Sequence, residues 1–68
     1  MSFEKRVLSV VSKVLKEDDT ASFAYGTLFV PEITAKEATK IETALIEEFR
    51  CGVIVTPCAN EFAFDFTA

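Results

Sequence analysis

Any chemistry in this chain would have to be built from Cys51, Cys58, Tyr25, the Glu47/Glu48 pair and the acidic run Glu17-Asp18-Asp19. The chain has no His, which removes the commonest general base near neutral pH and the commonest metal ligand. Two cysteines fall short of the ligand set of a zinc site. Cys51 follows an expected helix at its C-terminal end, whereas a thiolate is stabilised at an N-terminus. Cys58 falls in an expected hairpin loop, and position alone does not make it a nucleophile. Adjacent helical residues diverge by about 100°, so Glu47 and Glu48 do not converge on one point. The 17–19 run lacks the alternating oxygen spacing and central Gly of a calcium loop and reads as a solvated turn. Gly26 and Gly52 are the only glycines, too few for a glycine-rich phosphate loop. The expectation is no catalytic residue, no cofactor and no metal.

Composition narrows the remaining classes. The chain has 68 residues, half of them apolar, with seven Phe. That is enough for one small domain spanning 1–68 and too hydrophobic for disorder. No apolar run approaches the roughly 18–20 residues of a membrane span. Residues 2–16 are charged throughout and do not form a signal peptide. A disulfide between Cys51 and Cys58 needs Cα atoms within about 7 Å, and nothing secretory favours one. Reduced thiols in a cytoplasmic setting are expected. The formal charge is −4, which weighs against nucleic-acid binding by phosphate neutralisation. Basic residues concentrate in the first helix, at Lys5, Arg6, Lys13 and Lys16.

The elements that would position these groups are legible from periodicity. Phe3, Val7, Val10, Val11 and Val14 recur at helical spacing, with Leu8 and Leu15 beside them and Ser2 as the cap. Glu17-Asp18-Asp19-Thr20 ends that helix. Ala21 to Val30 alternates like one strand, with Phe23, Tyr25, Thr27 and Phe29 on one face and Ala24, Gly26, Leu28 and Val30 on the other. Gly26 inside it marks a bulge or a close backbone approach. Thr34-Ala35-Lys36-Glu37 is a capping box. It opens a second helix whose stripe is Ala38, Ile41, Leu45 and Phe49, flanked by Ala44 and Ile46. Gly52 is expected to close this helix in the left-handed conformation. Val53 to Thr56 and Phe62 to Phe66 make a hairpin across Pro57-Cys58-Ala59-Asn60.

This pattern predicts an α+β two-layer sandwich of order α-β-α-β-β, a three-stranded sheet with two helices packed on one face. Whether the first two strands are neighbours is left open by the pattern. Phe23/Tyr25/Phe29 and Phe62/Phe64/Phe66 are expected to meet the helices. The surplus apolar face would then be Ala24, Gly26, Leu28 and Val30, either ordinary exposed surface or a partner surface. Open sheet edges are a second route to association. The leading expectation is a non-enzymatic protein–protein interaction module, an adaptor, inhibitor or assembly subunit, whose partner is another protein or itself. Its interface candidates are Ala24, Tyr25, Leu28, Val30 and Arg50. One alternative is a ligand-binding protein or enzyme with a site between subunits. Another is nucleic-acid binding through exposed Phe62, Phe64 and Phe66 beside the basic first helix.

Overall fold

The computed structural model describes residues 2–16 and 20–67. The acidic turn expected at 17–19 lies outside them. The elements run α1 (Phe3–Leu15), β1 (Ser22–Ala24), β2 (Thr27–Pro31), α2 (Ala35–Phe49), β3 (Gly52–Pro57) and β4 (Glu61–Thr67). Two helices pack on a wholly antiparallel sheet of order β1-β2-β4-β3. The two-layer α+β class therefore stands, but the sheet has four strands and the order is α-β-β-α-β-β.

The difference traces to two residues. Tyr25 and Gly26 both have positive φ, 53° and 77°, as the primed two-residue hairpin turns require. The turn splits the expected strand 21–30 and pairs Phe23 with Leu28. Cross-strand partners share a face, so the alternation changes phase at the turn. Phe23, Leu28 and Val30 now point to the helices, and Thr27 and Phe29 point away. Gly26 is a turn residue, not a bulge.

Both helix starts form as the sequence requires. The Ser2 hydroxyl accepts from the Lys5 amide at 3.2 Å. Thr34 accepts from the Glu37 amide at 3.1 Å, and the Glu37 carboxylate accepts from the Thr34 amide at 2.9 Å. The end of α2 differs from expectation. Arg50, at φ 56°, takes the left-handed position and donates its amide to the Ile46 carbonyl. Gly52 instead begins β3, where the Thr67 side chain occupies the space a Cβ would need.

The core lies between the layers. Val7 and Val11 from α1, Ile41 and Leu45 from α2, and Leu28, Val30 and Phe64 from the central strands are fully buried. Phe3, Phe23, Phe49 and Phe66 form a ring cluster where the start of α1 meets the end of α2, with Phe3–Phe49 centroids 4.9 Å apart. Arg6 lies 4.8 Å over the Phe49 ring and reaches Glu48 at 3.4 Å. The chain thus reads as two helix-hairpin halves, α1-β1-β2 and α2-β3-β4. Their inner strands β2 and β4 pair at the centre.

Candidate protein-interaction surface

Helices cover one face of the sheet, and the alternation of each strand decides what the other face carries. Ala24 and Thr27, Phe29 and Ala63, and Ile54 and Asp65 are cross-strand neighbours, and all lie on the side away from Leu28 and Phe64. At this face Thr27 donates its hydroxyl to the Asp65 carboxylate at 2.5 Å. Glu61 stands opposite Pro31. The charges on this face are acidic, whereas the basic residues of α1 lie in the other layer. Ile54 is 56% exposed, and Phe29 is half-buried.

The five expected interface residues do not form one surface. Ala24 is exposed on the open face. Tyr25 is fully exposed at the tip of the β1–β2 turn, so its hydroxyl is not a core-edge group. Arg50 is exposed at the end of α2, next to the other hairpin. Leu28 and Val30 have no exposed area at all. Both belong to the core, because the Tyr25-Gly26 turn reversed the face on which they were expected. Phe29, which takes their place on the open face, was missed for the same reason; Ile54 joins it there from β3, whose phase that turn does not set. The dipeptide Tyr-Gly between two alternating runs was the signal, since glycine readily supplies positive φ in such turns.

Stacking depends on β4, whose Phe series meets the helices as expected. Phe64 is fully buried, and Phe62 and Phe66 pack against the core. None of the three is laid out on the open face as a base-stacking series.

No family model, curated protein or solved structure matches this chain.

An open cleft of about 540 Å³ lies between the β2–α2 connection and the β3–β4 turn, lined by Glu32, Cys58, Asn60 and Glu61 among others. Backbone bonds build it. The Glu32 amide donates to the Asn60 carbonyl at 3.0 Å, and the Cys58 amide donates to the Glu61 carbonyl at 2.8 Å. Cys58 is free and exposed, and Cys51 is free and half-buried. Among the described residues, no group of three or more His, Cys, Asp or Glu side chains is arranged to hold a metal ion. No described helix is long and apolar enough to cross a membrane.

Proposed function

We propose that this chain is a non-enzymatic protein-interaction module that binds through the uncovered face of its sheet. One observation carries the reading. A two-layer domain with both helices on one side leaves Ala24, Phe29 and Ile54 exposed or half-buried on the other, beside Glu61 and Asp65. In a domain with so little core, large apolar side chains held outside it are expensive unless a partner covers them. The acidic groups at the margin favour a partner with Lys or Arg around an apolar patch. A reducing, cytoplasmic setting fits the two free thiols.

The test is affinity capture from native extract with wild-type, Phe29→Ser and Tyr25→Ser baits, followed by reconstitution with the purified partner. Phe29→Ser is expected to weaken binding by tenfold or more, and Tyr25→Ser to leave it unchanged. A reconstituted partner that binds wild type and Phe29→Ser equally overturns the assigned face.

A further inference from the structure

The outer strand β3 offers an edge of unusual character. Gly52-Val53-Ile54-Val55-Thr56-Pro57 contains no charged residue, although edge strands are commonly guarded by charge. Its backbone phase follows from one bond. The Cys58 amide donates to the Glu61 carbonyl, so Cys58 and Glu61 form a hydrogen-bonded pair. Such pairs alternate along an antiparallel ladder. With the register Pro57↔Phe62, Thr56↔Ala63 and Ile54↔Asp65, Thr56, Ile54 and Gly52 bond to β4. Val53, Val55 and Pro57 turn their backbone groups outward. Pro57 has no N–H, which leaves the Val53 and Val55 amides as outward donors. On the opposite edge, the short β1 turns out only Phe23, because Ala24↔Thr27 closes the hairpin.

A second, independent feature marks the same edge. Of the large apolar side chains exposed among the described residues, Ile54 and Ile46 flank β3 from the two layers. Ile54 lies on the open face. Ile46 lies on α2, about 140° around the helix from the buried Ile41. Ala44, which lines the groove against α1, falls on the other side of Ile41. The α2 helix packs over β3, so this flank of α2 overhangs the β3 edge.

We propose that β3 pairs antiparallel with the β3 of a second copy, with Ile54 opposite Ile54 on the two-fold axis. This rests on the interaction-module reading and adds to it a second copy that docks at the sheet edge, not on the open face. The donors limit the register to those that place Val53 and Val55 in hydrogen-bonded pairs, and the exposed Ile54 chooses among them. With Ile54 on the axis, Val53 of each copy faces Val55 of the other, and every outward amide of the edge is bonded. Shifting the strands by two residues keeps both amides bonded, Val55 to Val55 and Val53 to the Pro57 carbonyl, but puts Ile54 opposite Thr56 and gives up the apolar contact. The strand is self-complementary in charge as well. The nearest acids in that row are the two Asp65 side chains, three strand spacings or about 14 Å apart, beyond the Debye length of about 8 Å at physiological salt. Glu42 also lies on the α2 flank, so added salt strengthens the association. A six-residue edge is about 20 Å long, a small interface, and the expected Kd is on the order of 10 µM.

The experiment is sedimentation equilibrium from about 1 µM to about 1 mM, paired with hydrogen exchange at both ends of that range. Wild type is expected to pass from monomer to dimer. Ile54→Lys and Ile46→Lys are each expected to raise Kd tenfold or more, and Tyr25→Ser, at the far end of the sheet, to leave it unchanged. On dilution the Val53 and Val55 amides are expected to lose protection while those of Ile54 and Thr56 keep it, a readout that needs no variant to fold. A wild-type monomer at about 1 mM overturns the proposal, as does a dimer indifferent to both Lys variants. Either result leaves the Phe29 capture experiment, and the broader reading it tests, intact.

Discussion

Tyr25 holds a left-handed backbone with its side chain wholly in solvent. Asn accepts that conformation at lower cost than an aromatic residue. Tyr25→Asn is therefore expected to stabilise the fold by about 0.5 kcal/mol, a rise in Tm of a few degrees in a domain this size. Gly26→Ala acts in the opposite sense. An added Cβ meets nothing within 4 Å, so the loss is backbone strain alone, about 1 kcal/mol. Thr34→Ala removes one half of the capping box and is expected to cost about 1 kcal/mol. Leu28 is the sharper case. It was expected on a surface, where Leu28→Asp would be tolerated in a monomer. It is fully buried opposite Phe64, and an unpaired carboxylate there has no compensating partner. Leu28→Asp is expected to abolish the folded state, seen as loss of the cooperative thermal transition. Leu28→Ala is expected to keep the fold and lose about 2–5 kcal/mol.

At the scale of elements, the helices were legible because nothing competes with a stripe at 3.6-residue spacing that begins at a hydroxyl cap. Ser2 and Thr34 both cap as read. The β3–β4 hairpin was legible because Pro57 to Asn60 interrupts two apolar runs. The β1–β2 hairpin was not, for a physical reason. A two-residue turn between two alternating strands leaves no polar loop, and Tyr25 is itself a good strand former. With that turn unread, the face of every later residue in the segment was inverted, and Leu28 and Val30 changed places with Phe29. The end of α2 was misplaced by two positions because a left-handed closure was assigned to Gly52 and is made by Arg50. Between the helices, the Arg6–Glu48 pair is half-exposed on both sides, so its charge contributes little. Arg6 also covers the Phe49 ring. Arg6→Lys is expected to change stability by less than about 1 kcal/mol, and Phe49→Ala by several times more, measured by urea denaturation.

For the whole molecule, 68 residues imply a folded state only a few kcal/mol below the unfolded one. Self-association through β3 would add to that margin by mass action. The thermal midpoint is then expected to rise with protein concentration for wild type and to stay flat for Ile54→Lys. A midpoint that ignores concentration in both would separate stability from association.

The pairing of β2 with β4 joins strands from different halves of the chain, and both halves reach the core through it. Neither α1-β1-β2 nor α2-β3-β4 can bury Leu28 against Phe64 alone. Cleavage in the Glu32–Ile33–Thr34 connection should therefore yield two fragments that are each unfolded in isolation and recover helical circular dichroism when mixed. The chain would then serve as a split reporter, its halves meeting along the central ladder.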